Sequence, residues 1–311
     1  LSVHANGCDS KTLGWLQAVS GLYGFVSAKG DRLRRDSRGW RLWFALFAEA
    51  QQMLHAKLVD RAWQLTARMI DGVGRRTIDR GFDDLMSAGC KIIRRFENSD
   101  AVYLTFDDGP NPNTTQRLLH ALHRERVKGT FFCIGRNARR WPALVQSIAR
   151  AGHALGNHSM THPDLYRVGP RRLRNELDAC QETLQSIAGP VTLFRAPYGH
   201  FRWDLRFAGA TGIKHLIKWD IAPPWNETDP VRLADLILAS ARPGSIILLH
   251  DGLATRDAQL SASAGRAAAE CVSLIAPEIR SRGLEFKTIA EQVREVCSRE
   301  DAASPMADAA A

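Results

Sequence analysis

Apolar positions follow two different spacings along this chain. Between residues 40 and 69, Trp40, Trp43, Phe44, Phe47, Ala50, Leu54, Leu58, Ala62, Leu65 and Met69 recur every three or four positions, the spacing of one continuous helical stripe. From Ala101 onward, short apolar runs alternate with amphipathic stretches. The runs predict strands at 102–105, 130–134, 154–156, 192–195, 215–219, 245–249 and 284–288, and the stretches between them predict helices at 115–125, 142–151, 171–187, 230–241 and 264–282. Strand and helix in strict alternation predict an α/β domain on a parallel sheet or barrel. The small, polar stretch 298–311 predicts a frayed tail. The expected organisation is therefore a mostly helical, basic N-terminal extension over 1–98, an α/β domain over 99–297 and a flexible tail over 298–311.

Composition narrows the class. The chain has 311 residues, 45% hydrophobic and 24% charged, which suits a soluble globular protein and excludes disorder, collagen-like fibre and a small disulfide scaffold. A net charge of +9 and a pI near 9.6 draw it toward acidic surfaces. No recognised nucleic-acid-binding motif accompanies that charge, so nucleic acid is not an expected partner. Basic runs at Arg32, Arg34, Arg35 and at Arg75, Arg76 flank the N-terminal stripe, which suits either a helix packed on the main domain or a peripheral contact with a membrane surface. No run of about 18 uncharged apolar residues exists, so a transmembrane helix is not expected. Six scattered cysteines without Cys-x-x-Cys spacing read as isolated thiols in a reducing compartment. With no secretory pattern visible, the expected location is cytoplasmic.

Candidate chemistry gathers just past the ends of the predicted strands: Asp107 and Asp108, then His158 and His162, Arg195, Asp220 and His250. That rim is where parallel α/β folds assemble active sites from separate loops. Taken singly, each has a structural explanation. Asp107-Asp108-Gly109-Pro110 has turn composition, histidines four apart are common, Arg195 suits a surface ion pair, and His250 suits a strand end. Taken together, one Asp and two His form an N,N,O set that leaves positions open on a metal ion.

Four segments, in order, then resemble the signatures of one family. Thr105-Phe106-Asp107-Asp108-Gly109-Pro110, His158-Ser159-Met160-Thr161-His162, Arg195-Ala196-Pro197-Tyr198-Gly199 and Leu248-Leu249-His250 are similar to those of the NodB-like polysaccharide deacetylases, carbohydrate esterase family 4. The resemblance spans about 101 to 291. It implies a distorted (β/α)7 barrel and a metal-dependent hydrolase that removes N-acetyl groups from an amino sugar. By position it implies that Asp108, His158 and His162 bind the metal, zinc foremost, that Asp107 is the general base held by Arg195, and that His250, on an opposite strand, is the general acid. It further implies that the Tyr198 N–H assists the oxyanion and that Leu248 and Trp225 wall the acetyl pocket.

The chemistry is consistent with these roles. An amide carbonyl is a poor electrophile and an amine a poor leaving group, so a Lewis acid, a base and an acid are all needed. One segment departs from the family: Trp219-Asp220-Ile221-Ala222-Pro223-Pro224-Trp225 places Pro224 where an aspartate that tunes the acid histidine is expected. Asp220, placed inward by period-2 alternation, is the expected substitute. An N-acetylglucosamine oligomer of the chitooligosaccharide kind is the first expected substrate, peptidoglycan the second and a lipid-linked amino sugar, deacetylated or deformylated, the third; a non-catalytic carbohydrate-binding relative is the alternative from another class.

Overall fold

The computed structural model describes residues 91–200 and 212–303. The Trp40–Met69 stripe and the basic runs beside it lie outside the described residues. In chain order the elements are β1 (Lys91–Ile93), β2 (Ala101–Asp107), α1 (Thr115–Arg124), β3 (Gly129–Cys133), α2 (Gly135–Arg140), α3 (Pro142–Arg150), β4 (Ala154–Asn157), α4 (Pro170–Ala188), β5 (Leu193–Phe194), β6 (His215–Ile217), α5 (Pro230–Leu238), β7 (Ile246–His250), α6 (Ala258–Ser281), β8 (Glu285–Phe286) and α7 (Ile289–Ala303). Strand order is β1-β6-β5-β4-β3-β2-β7, every pairing is parallel, and the short β8 pairs the start of β2. This is a half-barrel of seven parallel strands with flanking helices. Past the end of β6 the chain bridges to the far side of β7 at Ile221↔Ile247, and Arg95 bridges Ser245, so the gap between the two edge strands is spanned by loop backbone.

Alternation along β2 divides the molecule into two cores. Val102, Leu104 and Phe106 face outward and pack with Leu118 and Leu122 of α1 and Val272, Ile275 and Ile279 of α6. Ala101 and Tyr103 face inward and join Phe132, Leu193, Ile217 and Ile246. With both faces covered, the strand reads as an unbroken apolar run, as parallel strands do. Ile289 and Val293 of α7 fill the end of the inner cluster where the strands begin. There the Tyr103 hydroxyl donates to Gln292 Oε1 at 2.7 Å. The strand-ending half of the interior is left for polar groups. Gly156 is needed on the inner face of β4 because a Cβ there would collide with the Phe132 ring.

Some boundaries, and one short helix, differ from the sequence expectation. β1 falls inside the stretch assigned to the N-terminal extension, because three residues are too few to show a period. α7 runs to Ala303, through the start of the expected tail, and α2 is a six-residue helix too short for an apolar stripe to declare it. The strand expected over 284–288 contracts to Glu285–Phe286.

His153, just before β4, gives a pH prediction for the fold. It is buried, and its Nδ1 accepts the Gly129 N–H at 3.1 Å, which requires the neutral ring. Burial, aided by Lys128, pushes it down to about 4. An unfolded histidine titrates near 6.5, so between about pH 6.5 and 4 only the unfolded chain takes up this proton and stability falls as pH falls. The two-and-a-half-unit gap corresponds to about 3 kcal/mol. In urea unfolding, His153→Asn, which keeps an acceptor, is expected to lose about 3 kcal/mol less than the parent between pH 7 and 4; parallel curves for the two proteins would refute the assignment.

Candidate active site

Because all seven strands point one way, their C-terminal ends share one rim. Register places Asp107 of β2 beside His250 of β7. His250 thus stands on the strand adjacent to the expected base and not, as the sequence suggested, on an opposite one. Two residues deeper, Thr105 pairs with Leu248 on the same inward face.

Arg195, after β5, is fully buried and is the centre of the polar interior. Its Nη1 donates to Asp107 Oδ1 at 2.8 Å and to Thr105 Oγ1 at 2.7 Å, while Nε and Nη2 donate to the carbonyls of Ile217 and Lys218 at 3.2 and 3.1 Å. Thr105 can accept because its own proton goes to the Ile247 carbonyl. The guanidinium lies 4.1 Å from the Phe132 ring centroid and 5.4 Å from that of Trp219. A planar fork satisfied in this way holds one carboxylate oxygen in place, and lysine could not reproduce it. Burial lowers the guanidinium below its ordinary value, although Asp107 opposes this, and it stays charged beside its partner.

Asp108 follows in left-handed conformation, φ 70°, and both carboxylates face His158 Nε2, Asp107 Oδ2 at 3.7 Å and Asp108 Oδ1 at 3.5 Å. One oxygen, Oδ2, accepts the Ala254 N–H at 2.9 Å; the other, Oδ1, is buried without a hydrogen-bond partner. It lies 3.1 Å from His162 Nε2 and 3.5 Å from His158 Nε2. One ligand atom from each of these three residues lies within 4.8 Å of the others. His158 Nδ1 sits 2.8 Å from the Arg195 carbonyl, which can only accept, so Nδ1 carries a proton and Nε2 is the nitrogen that faces Asp108. Burial would raise the Asp108 carboxyl, but the two imidazoles outweigh it and hold it well below the usual carboxylate range. An orphaned carboxylate oxygen between two imidazole nitrogens fits a divalent transition ion.

The remaining expected residues are less uniform. Burial pushes the half-buried His250 below its ordinary value, His158 and Arg195 pushing the same way against Asp108 and Asp107. Tyr198 is 59% exposed at φ 59°, its ring edge-on to His162 at 4.7 Å. The turn it occupies needs Gly199, at φ 67°, where a Cβ would approach the Trp219 ring to 2.7 Å. Leu248 is buried on the His250 face, and Trp225 stands 58% exposed in the loop beyond Ile221.

Comparison with known proteins identifies the family. Residues 95–214 match the polysaccharide deacetylase family. A chitooligosaccharide deacetylase of Sinorhizobium fredii is 35% identical over 202 residues, 64% of this chain and 94% of that one. The chain belongs to the polysaccharide deacetylase family. A peptidoglycan-N-acetylglucosamine deacetylase of Bacillus cereus is 32% identical over 195 residues, covering 62% of this chain and 68% of that one. A crystal structure of a peptidoglycan N-acetylglucosamine deacetylase in complex with 4-naphthalen-1-yl-N-oxidanyl-benzamide superposes with a TM-score of 0.58 at 29% identity, covering 64% of this chain and 91% of that one.

Within this deacetylase-family site one expected residue is elsewhere. Asp220 does not reach His250: its Oδ1 accepts the Ile246 N–H at 2.8 Å and its Oδ2 accepts from Ser245 Oγ at 3.0 Å. It caps the start of β7, about 13 Å along the strand from His250 at roughly 3.3 Å per residue. Regular alternation ends with β6 at Ile217, so counting faces on to Asp220 gave the wrong direction. Asp220→Asn is therefore expected to leave the alkaline limb of the rate profile in place and to lower stability by about 1–3 kcal/mol, the range for disturbing hydrogen bonds to a charged group. A pH–rate profile and a thermal melt on one preparation read both; a shifted limb would return Asp220 to the acid.

Sequence reading also missed three supports. Asn137 Nδ2 donates to the Asp108 carbonyl at 2.9 Å. Asp251 is fully buried, accepts from Thr115 Oγ1 at 2.6 Å and fills the space a Cβ on Gly109 would need; burial pushes its carboxyl up to about 8. The third is Glu176.

Proposed function

We propose that this protein is a metal-dependent amide hydrolase that removes N-acetyl groups from N-acetylglucosamine-containing oligosaccharides of the chitooligosaccharide kind. The observation that carries the reading is the orphaned Asp108 Oδ1 set between His158 Nε2 and His162 Nε2, with a second, arginine-bound carboxylate beside it. Asp108, His158 and His162 would hold the ion, zinc first among divalent transition metals. Bound there, it supplies a Lewis acid for the amide carbonyl and for the attacking water.

The chain's own groups do the rest. Asp107 Oδ1 is engaged by Arg195, which orients the carboxylate, so Oδ2 serves as the base that takes the water's proton. His250, on the neighbouring strand, gives a proton to the departing nitrogen, without which an amine does not leave. The Tyr198 N–H assists the oxyanion, and Leu248 with Trp225 walls the acetyl methyl. With Asp220 committed to β7, His250 works in this reading without a dedicated tuning carboxylate among the described residues. A cytoplasmic location, inferred from the scattered thiols, belongs to the same proposal.

The substrate class rests on the 35% identity to a chitooligosaccharide deacetylase over nearly its whole length, and peptidoglycan is the second reading on the strength of the Bacillus cereus relative. The test is mass spectrometry of the purified protein with N-acetylglucosamine oligomers, peptidoglycan fragments and formylated amino sugars, with metal content measured on the same sample. Loss of acetyl groups from the oligomers is expected. Turnover confined to peptidoglycan or to formylated sugars would replace the substrate, and no turnover of any would end the reading.

A further inference from the structure

The two histidines of the metal set sit at the ends of a tight turn, His158-Ser159-Met160-Thr161-His162, whose backbone is twice in left-handed conformation at residues with a Cβ. Ser159 has φ 64° and His162 φ 60°. Such conformations are unfavourable in isolation and persist where the surroundings over-determine them. Part of that restraint is local: Asn157 Oδ1 accepts the Ser159 N–H at 2.8 Å, and Ser159 Oγ accepts the His162 N–H at 3.0 Å. Further restraint comes from α2, whose Gly135 and Arg136 N–H groups donate to the Ser159 and Met160 carbonyls.

The remaining restraint is a charged group in an unusual place. Glu176 of α4 is 6% exposed and lies on the apolar stripe formed by Leu173, Leu177, Cys180 and Leu184. Its Oε2 accepts the Thr161 N–H at 2.7 Å and its Oε1 accepts from Thr161 Oγ1 at 2.6 Å. Arg172, itself largely exposed, lies 3.9 Å away. A carboxylate on a helix face that otherwise carries leucines is unfavourable for burial alone. Both of its oxygens are used on the residue immediately before His162.

We infer that Glu176 is a positioning residue: by holding Thr161 from both sides it presets His162 against Asp108 and His158, so that the turn is ready for a divalent ion before the ion arrives. The inference rests on the metal-site reading above. A ligand loop ordered in advance binds more tightly than one that must be ordered on binding, and groups that orient ligands typically change metal affinity 10- to 100-fold.

The experiment measures the zinc dissociation constant of the full chain by competition with a chromophoric chelator, and thermal unfolding of the metal-free protein on the same samples. Glu176→Ala is expected to weaken zinc by about 10- to 100-fold while the metal-free protein still folds. Glu176→Gln is expected to restore near-parent affinity, since its amide oxygen accepts the Thr161 N–H and its NH2 donates to the hydroxyl. If the Ala variant does not fold, Thr161→Val, which deletes only the hydroxyl contact, is expected to show a smaller weakening in the same direction. Parent-like zinc binding in Glu176→Ala, or in Thr161→Val where that variant decides, with only a lowered melting temperature, overturns the inference. A parent chain that binds no zinc overturns the metal-centre reading itself, so the two failures are told apart by the parent measurement.

Discussion

Treatment with a strong chelator is expected to bring deacetylation of N-acetylglucosamine oligomers to background, and added zinc to restore it. The site explains the size of the effect. Asp108 Oδ1 is a buried, ionised oxygen with no hydrogen bond, and two imidazole nitrogens face it. A cation there would satisfy all three and, in the proposed mechanism, would supply the Lewis acid for the amide. His158→Ala and His162→Ala should each lose metal and turnover together. Stability should follow occupancy: zinc at a thousand times its dissociation constant adds about 4 kcal/mol to unfolding and raises the melting temperature. Acid should oppose binding. Burial disfavours the charged form of His158, but Asp107 and Asp108 outweigh it and raise the imidazole above its ordinary value, so protons compete for Nε2 increasingly as pH falls. Zinc affinity measured at pH 6 and pH 8 should therefore be weaker at 6. Full turnover in protein shown to be metal-free would remove the mechanism.

Asp107→Asn is expected to lower turnover about 10²- to 10⁴-fold with zinc content unchanged, the range associated with a general base. Metal is retained because Asp107 lies outside the ligand set. The amide still accepts from Arg195 Nη1 but carries no charge, which leaves a fully buried guanidinium uncompensated. That loss costs about 3–5 kcal/mol in comparable sites, so the variant should also melt earlier and must be assayed well below its transition. His250→Ala should show a similar fall in turnover with a much smaller change in stability, since the described structure gives that ring no ion pair. The contrast between the two variants separates a charge that both catalyses and stabilises from a proton donor that only catalyses. Turnover of Asp107→Asn within tenfold of the parent would take the base role away from Asp107.

Much of the site could be read from the sequence because its residues stand at the ends of strands that announce themselves. The apolar runs leading to Asp107, His158, Arg195 and His250 end where β2, β4, β5 and β7 end or one residue later, and parallel register does the assembly. Legibility failed where the chain leaves regular structure. Asp220 lies three residues beyond β6, where strand alternation no longer assigns a face. β1 was too short to show a period, and α7 carries too few apolar positions beyond Val293 to contradict a tail. Glu176 was hidden for another reason: a glutamate among arginines in a helix reads as solvated. The available signal was its position, between Leu173 and Leu177 on the buried stripe, where a charge requires a partner.

Arg195 contributes to the site through two chemically unrelated parts, and they differ in heritability. Its guanidinium fixes the base and can be lost by a single codon change. Its carbonyl fixes the proton on His158 and belongs to the main chain, which every substitution at that position preserves. The ligand half of the centre is thus insulated from point mutation at residue 195 while the base half is not. In the proposed centre, substitution at residue 195 acts first on the base, whereas a change in loop length next to β5 would displace the carbonyl and the side chain together.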